Sequence, residues 1–148
     1  MTTTIKTLTI RLSVPVFLLF FVSCVAFPPK DSFTYIQIIS VIDGDTFKAH
    51  ISGVNQIFND KAVRVAHIDT PEIHSSKECE KIAGLQSKTR LEELLKASRI
   101  DLINIEFDKY GRVLGDVIAD GVNVGEKMVG EGLAVKYEGG KKPEYICP

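Results

Sequence analysis

Five short segments rich in β-branched residues, interrupted by one long helical segment, limit the folds that this chain can adopt. The predicted strands cover residues 34–42, 46–51, 62–68, 102–107 and 113–119. Asp43-Gly44 between the first two strands predicts a hairpin, and Phe47, Ala49 and Ile51 would share one face of the second. With 148 residues, of which 45% are apolar, the chain can support one compact domain.

Two helices complete the predicted order. Residues 75–78, Ser-Ser-Lys-Glu, have the spacing of a capping box, so a helix is expected from there to about residue 97. Asn123 and Glu126 mark a short second helix that would end near Gly132. The order β-β-β-α-β-β-α predicts an α+β fold, a five-stranded OB-type barrel with flanking helices, whose open face commonly binds nucleic acid. The same strand count also allows an SH3-like barrel.

The first 26 residues have the pattern of an export signal. They contain Lys6 and Arg11, no acidic residue, and a nine-residue apolar run over positions 14–22. A membrane-spanning helix needs about twenty such residues, so the run is too short to span a bilayer. The signal could end as in bacterial lipoproteins, with lipidation of Cys24, or by cleavage after Ala26. Residues 27–33 would then form a short tether, and residues 34–148 the domain.

Export bears on the other two cysteines. In an oxidising compartment Cys79 and Cys147 are a natural disulfide pair, and in a cytosolic protein they would be free thiols.

Without residues 1–26, Lys plus Arg falls from 18 to 16 against 19 acidic residues, a formal charge of −3. This is not the basic balance of a general nucleic-acid binder, so a polyanion would have to be held by local cations.

Two acidic clusters carry the predicted chemistry, at positions 43–46 (Asp-Gly-Asp-Thr) and 68–72 (Ile-Asp-Thr-Pro-Glu). Each alone would usually be a turn. Together, the carboxylates of Asp45 and Asp69 and the carbonyl of Thr70 could hold a hard divalent cation, with water and substrate phosphate completing its coordination. Glu72 could then hold the attacking water as a general base.

Two arginines complete the predicted site. Arg64 alternates with two valines on a strand, and Arg112 follows Lys109-Tyr110-Gly111 in a turn between strands. Two guanidinium groups converging on one phosphate would stabilise the extra negative charge of a five-coordinate transition state. The alternative is that both are solvated surface arginines.

In this order, the stretches 41–46, 63–72, 108–112, 119–121 and 132–134 resemble the thermonuclease, or staphylococcal nuclease-like, family. The resemblance implies calcium at Asp45, Asp69 and Thr70, and cleavage of DNA and RNA with little sequence preference to leave 3′-phosphates. It also implies that Glu72 activates water, that Arg64 and Arg112 are catalytic, and that Lys109 and Tyr110 contact a substrate phosphate.

The chain departs from that family after Ala134. The best-known secreted member of the family has two tyrosines there that stack on substrate. In this chain only Tyr137 is a candidate for such a position, and it is assigned no role. Lys136, Lys141 and Lys142 could extend a cationic patch or form a solvated tail. His50, His67 and His74 do not have the spacing of a ligand set, and His67 is expected to be structural within its strand.

The expected protein is a monomeric nuclease that favours single-stranded or denatured nucleic acid. A non-catalytic OB-type nucleic-acid-binding module of the cell envelope is the alternative, and a protein-binding adaptor of the envelope is a third class. Loss of an acid or an arginine would favour the alternative, and all six key residues are present: Asp45, Arg64, Asp69, Thr70, Glu72 and Arg112.

Overall fold

The computed structural model describes residues 32–51 and 60–147. These ranges contain, in chain order, β1 (Gln37–Val41), β2 (Thr46–His50), β3 (Lys61–Val65), β4 (Ile68–Asp69), α1 (Glu78–Leu94), β5 (Ile100–Phe107), β6 (Val113–Ala119), β7 (Val122–Asn123), α2 (Val124–Gly130) and β8 (Val135–Lys136). The predicted export signal, including Cys24, and most of the predicted tether lie outside the described residues. No helix within the described ranges is both long and apolar enough to cross a membrane.

The main sheet has the strand order of an OB barrel. It runs β1-β2-β3-β6-β5, with β7 paired to β6. All its pairings are antiparallel except β3–β6, where Val63 lies beside Val113 in parallel register. Phe33, ahead of β1, forms a bridge with Leu102 of β5, so the first segment meets the last strand of the order. The predicted α+β class and OB-type architecture are thereby confirmed.

The third predicted strand is wrong in its second half. The chain leaves the main sheet after Val65, and His67 has a left-handed backbone with φ of 63°. Such a conformation is uncommon outside glycine and ends a strand. Ile68 and Asp69 continue as β4, which pairs with β8 in a separate two-stranded sheet. This turn carries the chain from the barrel wall directly into the second acidic cluster.

The core fills the space between the sheet and α1. Phe47, Ala49 and Ile51 alternate inward as predicted, and each is at most 1% exposed. Leu91 of α1 and Leu95 just after it are buried against the same cluster. Complete burial of a large apolar side chain contributes about 1.5–3 kcal/mol, so these contacts fix α1 on the barrel.

The predicted capping box at residues 75–78 is wrong. Helix α1 begins at Glu78, and its N-cap residue Lys77 makes no side-chain cap. The Ser75 hydroxyl instead donates to Glu80 at 2.6 Å and accepts from the Lys77 amide. In contrast, the Asn123 side chain accepts from the Glu126 amide at 3.0 Å, so the predicted cap of α2 is present.

Candidate active site

The turn between β1 and β2 buries a carboxylate. The amides of Ile42 and Asp43 donate to the Thr46 carbonyl, which closes the turn. The Asp45 amide donates to the Asp43 side chain at 3.1 Å, and the Asp45 side chain is directed inward with the residue only 2% exposed. The Thr46 hydroxyl donates to Asp45 Oδ1 at 2.8 Å. The predicted Asp-Gly turn therefore also delivers a buried acid.

Gly44 allows this turn to approach the second acidic cluster closely. A Cβ at this position would lie 2.7 Å from Thr70 Oγ1 and 2.7 Å from Ser87 Cβ. Neither atom can be that near a real Cβ. The turn therefore lies directly against Thr70, which places the three predicted cation ligands in one region.

The second cluster, residues 69–72, is called the acid corner below. Asp69 and Thr70 are 5% and 7% exposed, whereas the Glu72 side chain is 54% exposed. Pairing of β4 with β8 fixes Asp69 opposite Val135. The corner thus combines a buried carboxylate with an accessible one, and the accessible one faces the solvent side of the site.

Arg64 joins the two clusters. Its Nη1 donates to Asp45 Oδ1 at 2.6 Å, and its Nη2 donates to Asp69 Oδ1 at 3.0 Å and to the Ile68 carbonyl at 3.2 Å. Burial raises the pKa of Asp45 to about 6, while the neighbouring Arg64 acts in the opposite direction. One guanidinium thus bridges two buried carboxylates that are 24 positions apart in sequence.

Lys142 is part of this cluster, which sequence reasoning did not anticipate. Its Nζ lies 3.0 Å from Asp69 Oδ1 and 2.5 Å from Glu72 Oε1. The sequence offered only a choice between a cationic patch and a solvated tail. No local pattern indicates the contact, because 70 positions separate Lys142 from Glu72.

The loop between β5 and β6 holds the predicted substrate-binding residues. Asp108 organises it: Oδ1 accepts from the amides of Tyr110 and Arg112, and Oδ2 accepts from Arg112 Nε at 2.6 Å. Tyr110 is 73% exposed, and Lys109 Nζ lies 5.0 Å from its ring centre. Partial burial raises the pKa of Asp108. The hydrogen bonds from the Arg112 and Tyr110 amides and the side chain and charge of Arg112 lower it by more, so the pKa lies below its ordinary value. The carboxylate is therefore a stable partner for the arginine.

Strand register, and not a direct contact, relates Arg112 to the strand that carries Arg64. Val113 pairs with Val63, so position 112 lies at the end of the barrel strand next to the one that carries Arg64. Within the described ranges its ion pair is with Asp108 and not with the acid cluster. The structure therefore brings together Asp45, Arg64, Asp69, Thr70 and Glu72, and holds Arg112, Lys109 and Tyr110 on the adjoining loop.

Tyr137 and His67 support the local backbone. The Tyr137 amide donates to the His67 carbonyl at 3.0 Å, and its hydroxyl donates to the Gly140 carbonyl at 2.7 Å. His67 Nδ1 lies 2.7 Å from Glu138 Oε2, and this contact raises the histidine pKa. His67 is thus a turn residue with an exposed ring, and the expectation of a strand position is wrong.

Cys79 and Cys147 form a disulfide with a Cα–Cα distance of 5.9 Å. Cys79 lies in the first turn of α1, close in sequence to the acid corner. In the part of the chain that the structure describes, no group of three or more His, Cys, Asp or Glu side chains has the arrangement of a metal site. A cation here would depend on two carboxylates and backbone or substrate oxygens, as the sequence predicts.

The sequence was compared with family models and with curated proteins. A family model described as "Staphylococcal nuclease homologue" matches residues 62–146. The SPbeta prophage-derived endonuclease YokF and the endonuclease YncB, both of Bacillus subtilis strain 168, are each 37% identical over 112 residues. The match covers 71% of this chain, and 35% and 49% of those two proteins. An uncharacterized endonuclease of Escherichia coli is 33% identical over 105 residues, covering 69% of this chain and 60% of the relative. The chain thus spans between about a third and three fifths of these relatives.

Proposed function

Because this chain belongs to the staphylococcal nuclease family, we propose that it is a calcium-dependent endonuclease that hydrolyses phosphodiester bonds of DNA and RNA. The names of its relatives agree with an endonuclease. The observation that carries the proposal is the Arg64 guanidinium, which bridges the buried carboxylates of Asp45 and Asp69 beside the exposed Glu72. Buried acids paired with one arginine are a costly arrangement, which a cation-binding site would explain.

The donor set fits a hard divalent cation. With Arg64 and Lys142 counted, the three carboxylates of Asp45, Asp69 and Glu72 leave a formal charge of −1. Calcium takes carboxylate and carbonyl oxygens, so Asp45, Asp69 and the Thr70 carbonyl would hold it. Bound there, the ion would act as a Lewis acid on a substrate phosphate oxygen.

The proposed chemistry assigns three tasks to four side chains. Glu72 accepts a proton from the attacking water, whose oxygen forms a bond to phosphorus. The bond between phosphorus and the 5′ oxygen breaks, and the leaving 5′ oxygen takes a proton from solvent. The products are a 3′-phosphate and a 5′-hydroxyl. Arg64 and Arg112 stabilise the charge that develops on the phosphate, which is worth about 10²–10³ in rate for a single well-placed donor. Asp108, as the partner of Arg112, keeps that arginine at the loop.

Substrate binding would depend on local cations, because the formal charge of the whole chain is −1. We assign phosphate contacts to Lys109 and to the Tyr110 hydroxyl. Single-stranded or denatured nucleic acid is the favoured substrate in this proposal. The protein would act as a monomer.

We further propose that the enzyme is exported, on the basis of the signal pattern in residues 1–26. It would be either released after Ala26 or held at the membrane by a lipid on Cys24. Mass spectrometry of the mature N-terminus distinguishes these forms, since lipidation adds a defined mass to Cys24. A mature chain that retains Met1 would contradict export.

Digestion of denatured DNA, with calcium or with a chelator, tests the proposed reaction. We expect cleavage with calcium alone, and a loss of about 10²–10⁴ in rate for Glu72→Ala and for Arg112→Ala. Glu92→Ala, which removes an exposed glutamate from α1, is the matched control and should cleave as the wild type does. Full cleavage in chelator would contradict the calcium assignment. Binding without cleavage under all conditions would support the non-catalytic OB-type module instead.

A further inference from the structure

Residues 137–147, which we call the strap, cross the mouth of the acid corner and are tied at both ends. At the start, the Tyr137 amide is bonded to the His67 carbonyl. At the end, Cys147 is bonded to Cys79. Between them, Glu144 pairs with Lys77 at 3.0 Å. The strap is therefore fastened to the β3–β4 turn on one side and to the start of α1 on the other.

A cleft of about 500 Å³ lies between the strap and the acid corner. Its walls include Asp69, Thr70 and Glu72 on one side and Lys142 and Tyr145 on the other. Lys142 reaches across it, so that its ammonium is within 3.0 Å of both Asp69 and Glu72. A cation of the protein itself thus contacts one predicted ligand of the metal and the proposed general base.

The Lys142 ammonium is held in this position by its contacts with both carboxylates. The tethered strap also keeps the lysine close to the carboxylates, so its effective concentration there is far above that of a free amine.

We propose that Lys142 competes with the divalent cation for Asp69, so that the strap sets the affinity of the site for calcium. The proposal rests on the calcium site described under Proposed function. An oxygen of Asp69 that accepts from an ammonium is less available to a second cation, and two positive charges a few ångströms apart repel each other strongly at low dielectric. Calcium binding therefore requires Lys142 to move away, which also frees Glu72 to accept a proton from water.

Isothermal titration of the folded, disulfide-bonded protein with calcium chloride tests this without any substrate. Lys142→Met removes the charge and keeps an unbranched apolar side chain of similar length. Lys141→Met makes the same change at the adjacent exposed residue, which forms no ion pair among the described residues. We expect Lys142→Met to bind calcium about tenfold more tightly than the wild type, and Lys141→Met to bind as the wild type does.

Equal affinity in all three proteins would overturn the inference and leave the calcium site intact. Absence of calcium binding in all three would overturn both the inference and the calcium dependence. Weaker binding by Lys142→Met would show that the lysine supports the site rather than competing for it, which also overturns the inference.

A second measurement tests the part played by the strap. The double variant Cys79→Ser, Cys147→Ser releases one end, and circular dichroism establishes that it remains folded. The calcium affinity of this double variant should be higher than that of the wild type. Adding Lys142→Met to it should give less than the tenfold gain expected for the bonded protein. A full tenfold gain in the released protein would show that the strap does not hold the lysine in place.

Discussion

Replacing Gly84 with alanine tests whether α1 sets the position of the acid corner. Gly84 lies in the middle of α1, where alanine is normally the better residue by about 1 kcal/mol. A Cβ at this position would, however, lie 2.6 Å from the Pro71 carbonyl oxygen, 2.9 Å from the Ile73 nitrogen and 3.0 Å from the Glu72 carbonyl carbon. All three atoms are backbone, so no side chain can rotate away to make room.

The size of the effect follows from these distances. Ordinary contact begins at 3.4 Å, so the helix and the corner must separate by about 0.8 Å. Such overpacking costs about 1–3 kcal/mol, which at least offsets the helix propensity gain and leaves a net destabilisation of about 0–2 kcal/mol. A misplacement near 1 Å can cost about 100-fold in rate, so we expect cleavage to fall by about 10- to 100-fold.

Gly130→Ala is the matched control, because nothing lies within 4 Å of a Cβ built at that helical glycine. We expect it to leave cleavage unchanged and to stabilise the fold by at most about 1 kcal/mol. Thermal unfolding and initial rates on denatured DNA, measured for the two variants in parallel, give both quantities. If Gly84→Ala were stabilised like the control and cleaved at the wild-type rate, the close approach of α1 to the acid corner would be refuted.

Three further outcomes are expected. Reduction of the Cys79–Cys147 bond, which spans 68 positions, should lower the free energy of unfolding by about 4 kcal/mol in urea titrations; an unchanged midpoint would contradict a constraining role. Arg90 lowers the pKa of Glu131 to about 2, so the stability this pair contributes is present above the ordinary value of 4.5 and is lost as the pH falls toward 2. Melting temperatures should show that loss in the wild type and a smaller one in Glu131→Gln. Asp108→Asn removes the charge that orients the loop before β6 and should reduce kcat/KM about tenfold with little change in melting temperature; an unaltered kcat/KM would show that the loop needs no such anchor.

The long strands of the barrel could be predicted from sequence because they depend on local patterns. Alternation placed Phe47, Ala49 and Ile51 in the core, and the Asp-Gly turn before β2 is present. The grouping of Asp45 with Asp69 could also be anticipated, because a hard cation takes several oxygen ligands and each acidic cluster alone supplies too few. The functional roles of these residues stay predictions until they are measured.

The features that sequence could not supply are tertiary. The backbone of His67 turns because β4 finds a partner in β8, and nothing in the local run of alternating residues indicates that competition. Nothing in the sequence distinguishes Gly44 and Gly84 from other glycines, because the atoms that leave no room for a Cβ there belong to residues distant in sequence. Lys142 lies at the site because the strap folds back over the acid corner, and the sequence alone does not indicate that course of the chain.

The parallel pairing of β3 with β6 has a consequence for how the protein is made. Residues 63–65 find their second neighbour in residues 113–115, fifty positions later, so this pairing forms only after nearly the whole barrel has been synthesised. Contacts so distant in sequence are slow to form. A nascent or prematurely truncated chain would therefore lack any active cleft, and the appearance of cleavage during refolding would report completion of the barrel rather than its early collapse.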